Sequence, residues 1–219
     1  MNRRKFLLSA GGLAISPLLA APAKQNIAIF SKHLQFLNGE ELAKSVAFLG
    51  FDGIDLTVRA GGHVEPQRVV QDLPPLVKTI RANGLEVPMI TSDILDADSP
   101  HTEDVLRTIS ALGINHYRWG GFKYDDKTPL PDQLEALKPR VAKLAKLNTK
   151  YQAGAMFHTH SGKGLVGAPI WDLYILLKDF DPKAVGINYD IGHATIEGGS
   201  GGWIDSFRVT GPYLRGVAV

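Results

Sequence analysis

YQAGAMFHTHSG at Tyr151–Gly162 and AVGINYDIGHA at Ala184–Ala194 read as two consecutive strand–loop units joined by a helix. Side chains alternate along a strand. As a strand, the first stretch puts Gln152, Gly154, Met156, His158 and His160 on one face. The second puts Gly186, Asn188 and Asp190 on one face, with His193 just past the strand's end. Both runs are apolar until their C-terminal tips, where α/β proteins open their strands into a site. Imidazoles and a carboxylate gathered there suit two chemistries, holding a divalent metal ion or moving protons. Taken singly, each residue also fits a plainer role, capping a strand end by bonding loop backbone. The set favours a site.

Outward from these units the same alternation recurs. Strands are predicted over 26–30, 53–59, 85–91, 114–119, 150–157, 184–190 and 214–219. Helices are predicted over 38–49, 66–83, 102–112, 130–147, 169–178 and 202–209. Asn38 reads as an N-cap, and Gly84 and Gly113 as helix stops. Pro88 lacks an amide hydrogen, which predicts a bulge in the third strand. Gly198–Gly202 (GGSGG) has no P-loop lysine after it and reads as a flexible loop. Strands recurring about every 30 residues with helices between them imply parallel βαβ units. About seven such units, with no dinucleotide-type glycine fingerprint, favour a (β/α)₈ TIM barrel over a doubly wound sheet. A whole barrel has an eighth unit and typically ~250 residues. The chain stops on Val219 within a strand-like run, so the expectation is an incomplete barrel over 24–219, lacking its last β/α unit.

Residues 1–23, MNRRKFLLSAGGLAISPLLAAPA, have a basic head, an apolar middle and Ala21-Pro22-Ala23 as a small-x-small cleavage site. Arg3-Arg4 followed by Lys5-Phe6-Leu7 resembles a twin-arginine signal. That makes the export machinery an expected partner and the periplasm, or another exported location, the expected compartment. A domain using this route folds before it crosses, which suits a protein needing a metal first. Losing Arg3, Arg4 and Lys5 takes the net charge from +2 to −1, so no basic face advertises nucleic acid. No later run is long enough to span a membrane, and no stable anchor is expected. Cysteine is absent, which excludes disulfides, thiolate metal sites, a cysteine nucleophile and a lipobox-type anchor.

On a barrel, polar residues collect at the strand tips. Ser31 and His33 follow the first strand. Asp55, Thr57 and Arg59 share a face of the second, with Gly61-Gly62-His63 behind it. Thr91-Ser92-Asp93 and Trp119-Gly120-Gly121 follow the third and fourth, and the histidines and Asp190 end the fifth and sixth. Asp55 reads equally as a site carboxylate or as one tied to backbone or Arg59. Arg59 and His63 suit anion or hydroxyl binding, or a loop-holding hydrogen bond. Trp119 suits stacking on a sugar's apolar face or simple packing. Trp171 and Trp203 are expected to pack; His101 and His116 are given no role.

GFDGIDLTVR at 50–59, GGHV at 61–64, FHTHSG at 157–162 and YDIGHA at 189–194 resemble, in that order, the xylose isomerase-like TIM-barrel superfamily of sugar and sugar-phosphate isomerases and epimerases. The resemblance covers the chain after Ala23. It implies one divalent metal ion (manganese, magnesium, cobalt or zinc) between acidic and histidine ligands on strands five to eight. Carried over, the strand-six aspartate is Asp190 and the histidine after it, a substrate contact, is His193. The strand-five ligand position, commonly glutamate followed by Asn-His, is His158 followed by Thr159 and His160. The strand-seven histidine falls at or near Ala218 and is absent, and the strand-eight glutamate lies beyond Val219.

The implied chemistry is metal-assisted proton transfer on a small carbohydrate. A metal polarises a carbonyl or hydroxyl and lowers the cost of an enediolate, while a carboxylate or imidazole shuttles the proton. Catalytic candidates are Asp190, His158 and His193. Substrate-binding candidates are His193, His160, Arg59, His63, Trp119 and Asp55, and metal-ligand candidates are Asp190 and His158. Three alternatives stay open. One is a non-catalytic carbohydrate-binding barrel, which Ala218 favours. Another is a metal-dependent phosphodiesterase like the family's endonucleases, which the near-neutral charge disfavours. The last is an inactive fragment with open strand edges.

Overall fold

The computed structural model describes residues 25–219, so the export-signal reading of residues 1–23 lies outside the described residues. Seven strands form one parallel sheet in sequence order: β1 (Ala28–Phe30), β2 (Gly53–Val58), β3 (Glu86–Ser92), β4 (His116–Trp119), β5 (Gly154–His158), β6 (Val185–Asp190) and β7 (Leu214–Ala218). The crossovers are α1 (Gly39–Phe48), α2 (Val69–Ala82), α3 (Thr102–Ala111), α4 (Leu130–Tyr151), α5 (Trp171–Leu177) and α6 (Ile191–Thr210). A doubly wound sheet reverses its strand order partway. This one never does, and winds as a barrel winds. Among the described residues β1 pairs only with β2 and β7 only with β6, so the (β/α) barrel is open and incomplete.

Strand alternation divides the molecule into two surfaces. Ile54, Leu56 and Val58 of β2 are fully buried against helix residues such as Leu42, Leu73 and Ile80. The outward direction of two further strands is fixed by hydrogen bonds to helices. Tyr117 Oη donates to Asn148 Oδ1 of α4 (2.8 Å), and Tyr189 Oη donates to the Trp203 carbonyl of α6 (2.9 Å). Alternation then turns Arg118, Asn188 and Asp190 to the barrel's interior side, together with Asp55, Thr91 and His158. The core lies between sheet and helices; the interior side is polar.

Pro88 does interrupt the pairing. The β2–β3 register runs from Gly53↔Glu86 to Asp55↔Met89, one residue longer on β3. Other expectations are corrected. Helix α4 runs on to Tyr151 and is ended by Gln152 in the left-handed conformation (φ 52°), so β5 starts only at Gly154 and Gln152 is not on its face. Buried Asn148, bonded on two sides, holds those last turns helical. His160 lies beyond the end of β5. The GGSGG run is not a loop: α6 starts at Ile191 and passes through it, broken at Gly199 (φ 56°, ψ −150°). Asn38 stands at the N-cap of α1, but its side chain makes no capping hydrogen bond. Trp171 and Trp203 are 51% and 36% exposed and are not core residues.

Candidate functional site

β5 and β6 are neighbours with His158 opposite Asn188, which places Asp190 two residues further towards the tip. Thr159 clamps the two tips together. Its backbone N–H donates to the Asn188 carbonyl (3.2 Å), and its hydroxyl accepts from the Asp190 backbone N–H (2.8 Å). Asp190 Oδ1 accepts from the His193 backbone N–H (2.9 Å), an N-cap that starts α6 and fixes the carboxylate. The other oxygen, Oδ2, faces His158 Nε2 at 3.8 Å. Thus a strand-end carboxylate and the following imidazole come from one short stretch because Asp190 ends β6 and caps α6 at once.

Around that pair the loop after β5 brings two more polar groups. His160 Nδ1 donates to the Ser161 carbonyl (2.8 Å), and Ser161 Oγ shares a hydrogen bond with His193 Nδ1 (2.8 Å). The His160 and His193 rings stack, with centroids 3.9 Å apart and planes at 29°.

One ligand atom from each of His158, Asp190 and His193 lies within 4.8 Å of the others, close enough to share one divalent ion. Two imidazoles and a carboxylate suit first-row divalent metals. Burial, with the Arg118 charge, pushes the His158 imidazolium down to about 3, so the ring is neutral, as a ligand must be. Asn188 Nδ2 donates to His158 Nδ1 at 3.3 Å. Turned end for end, that amide would accept from Nδ1–H instead and leave the Nε2 lone pair for a cation. The donor set therefore fits a metal. The strand-seven neighbour does not add to it: Ala218 pairs with Asp190 in the ladder and offers only a methyl group.

The interior opens beside this cluster into a cavity of about 410 Å³, lined by Arg59, Ser92, Asp93, Arg118, His158 and His160 among others. That volume suits a small ligand. Asp55 of β2 does not line it, and both its oxygens accept from Thr91 Oγ1 (2.9 and 3.0 Å). Burial pushes its carboxyl up to about 6, opposed by that hydrogen bond and by Arg118 and Arg59. Arg59 sets its guanidinium 5.7 Å from the centre of the Phe30 ring. Trp119 forms part of the cavity wall but is only 2% exposed. Its indole N–H donates to the Leu95 carbonyl, and its ring meets Phe122 and Phe157 edge-on.

His63 stands apart from the cavity. Its Nδ1 lies 2.9 Å from Thr57 Oγ1, which also accepts from the His63 backbone N–H (3.0 Å) and is bound to Ser31. The ring holds its own loop. The structure thus gathers His158, His160, Asp190 and His193 at one place, and puts Arg59 on the wall of the same cavity while Asp55 is not part of its lining. Sequence reasoning passed over Arg118. The signal was present in HYRW, where a tyrosine turned out to the helices leaves the next residue, the arginine, facing in.

A sequentially wound, open α/β barrel with polar strand tips and a His-Asp-His cluster defines a TIM-barrel-type protein with a candidate metal site. Residues 43–219 match the family described as xylose isomerase-like TIM barrel, and the chain belongs to it. No curated protein matches the sequence. Solved structures share the fold at low identity. A D-tagatose 3-epimerase-like protein is 14% identical with a TM-score of 0.70, over 88% of this chain and 75% of that one. The 3-keto-D-glucoside 4-epimerase of E. coli is 16% identical with a TM-score of 0.67, over 89% and 78%. D-psicose 3-epimerase from Clostridium cellulolyticum H10 is 15% identical with a TM-score of 0.65, over 88% and 72%.

Proposed function

We propose that this protein is an exported sugar isomerase or epimerase that moves a proton between adjacent carbons of a small carbohydrate with the help of a divalent metal ion. The observation that carries the reading is the His158–Asp190–His193 cluster at the tips of β5 and β6, opening on a cavity of about 410 Å³. The epimerases that share the fold support it, and export rests on Arg3-Arg4 and the apolar run behind them.

His158, Asp190 and His193 would hold the ion, which when bound supplies positive charge beside a substrate carbonyl or hydroxyl. The rest is done by the chain. His160 gives its Nδ1 proton to the Ser161 carbonyl, so in the neutral ring Nε2 is a free base beside the cavity. Stacking on His193 orients it. An imidazole there can accept a proton from one carbon and return it to the next. Thr159 and the α6 N-cap keep the ligands from shifting as charge develops.

A second reading is a carbohydrate-binding barrel without turnover, favoured by Ala218 opposite Asp190, where a further ligand would complete the metal's shell. One experiment separates the two. Metal-free protein is titrated calorimetrically with Mn²⁺, Co²⁺ and Zn²⁺, then incubated with aldoses and ketoses in D₂O and followed by proton NMR. The enzyme reading expects one equivalent of metal, deuterium at a carbon beside the carbonyl, and at least tenfold weaker metal binding in Asp190→Asn, which keeps the N-cap. Sugar binding with neither metal nor deuterium uptake establishes the binding barrel.

A further inference from the structure

The cavity that His158 and His160 line is also lined by two guanidinium groups that the reading above does not use. Arg59, just past the end of β2, and Arg118, inside β4, both line the cavity. Their Cζ atoms lie 5.7 and 5.8 Å from the centre of one Phe30 ring. Each carries five N–H donors. Among the described residues neither guanidinium makes a hydrogen bond or an ion pair, although Arg118 is half-buried.

Nearby carboxylates act on the two arginines through space but spend their hydrogen bonds on other groups. Asp55 has both oxygens on Thr91, Asp93 Oδ2 accepts from the Ala60 backbone N–H, and Asp190 caps α6 and faces His158. Burial first, and Arg59 with it, lower the Arg118 pKa, while the charges of Asp55 and Asp190 oppose that shift from a distance without supplying a hydrogen bond. Phe30 orients the pair by contact with its face but neutralises nothing. An oxyanion in the cavity would take several of these free donors at once.

The geometry points to an anion subsite formed by Arg59 and Arg118, so that the ligand of this cavity is an acidic carbohydrate, carrying a carboxylate or a phosphate, rather than a neutral sugar. This deepens the proposed function and rests on its assignment of the cavity to a carbohydrate. The anion is held from β2 and β4, and the reacting carbons face His158 and His160 on the same cavity. A ligand held at one end by two arginines has its other end directed to the metal cluster.

The test uses metal-free protein, so that it stands whether or not the protein turns over. Binding of D-glucuronate, D-glucose 6-phosphate, inorganic phosphate and neutral D-glucose is measured by calorimetry at 0.05 M and 0.5 M NaCl. The subsite expects an anionic sugar to bind at least tenfold more tightly than D-glucose, with much of the difference lost at high salt. Whichever of glucuronate and glucose 6-phosphate binds better identifies the oxyanion. Arg118→Gln and Arg59→Gln should each cost about tenfold for the anionic sugar and little for D-glucose. Near-UV circular dichroism reports whether each variant folds, and the salt comparison on the unaltered protein needs no variant. Equal binding of neutral and anionic sugars, or no binding of either anion, overturns the subsite. Deuterium uptake by a neutral ketose with no preference for anions sinks the subsite alone and leaves the isomerase reading standing.

Discussion

Asp55 and His158 are displaced in opposite directions by one cause, burial, which disfavours whichever form carries charge. The Asp55 carboxyl rises from the ordinary 3.8 to about 6, and the His158 imidazolium falls from 6.5 to about 3. For Asp55 the folded protein binds its proton more tightly than the unfolded chain. Its contribution to stability is therefore full below pH 3.8 and lost as pH rises through about 6. The difference of about two pKa units corresponds to up to about 3 kcal/mol. Asp55→Asn removes that dependence. In urea unfolding it should match the unaltered protein near pH 4 and exceed it by about 2–3 kcal/mol at pH 8. A constant gap across that range would mean that the charge at Asp55 is compensated. The sequence shows an aspartate two residues before a threonine and four before an arginine. It does not show that Thr91, thirty-six residues on, takes both carboxylate oxygens.

At the scale of elements, one side chain ties three of them. Asn148, fully buried in α4, accepts from Tyr117 of β4 and donates to the Ala184 carbonyl just before β6 (2.8 Å each). Asn148→Ala leaves the buried Tyr117 hydroxyl unpaired and opens a small void. The expected cost is about 3 kcal/mol, read as a lower urea midpoint with an unchanged slope. Adding Tyr117→Phe should recover about 1 kcal/mol by removing the orphaned hydroxyl. The sequence reading ends this helix at 147 and gives Asn148 no part, because its two partners lie on other elements. Helix α6 was legible in part. Its start was missed because Asp190 looks like a site ligand, and a side chain that both caps a helix and lines a site shows only one role to a linear reading. Its glycine run behaves as sequence chemistry allows at one point only, Gly199, where φ is positive and the helix breaks.

At the scale of the whole molecule, the open sheet has two edges among the described residues. The β7 edge lies beside exposed Ile191, Ile204, Phe207 and Val217. Unpaired backbone next to apolar side chains is a template for pairing with another chain. A protein made of residues 25–219 alone is expected to associate as its concentration rises through the micromolar range, and Val217→Lys should shift that onset upwards severalfold in sedimentation velocity. A monomer at every concentration would mean the edges are already protected. The sequence by itself determined the alternation of strands and helices, the barrel-type winding and the residues at the β5 and β6 tips. Those follow from period-two and helical patterning and from turn chemistry, which are local. Only the tertiary structure decided that His158, Asp190 and His193 converge within 4.8 Å, that His63 is taken up by its own loop, and that Arg118 joins Arg59 at the cavity. Distances between side chains on different strands are set by register and by the curl of the sheet, and these arise from packing the helices against it, which no stretch of sequence contains alone.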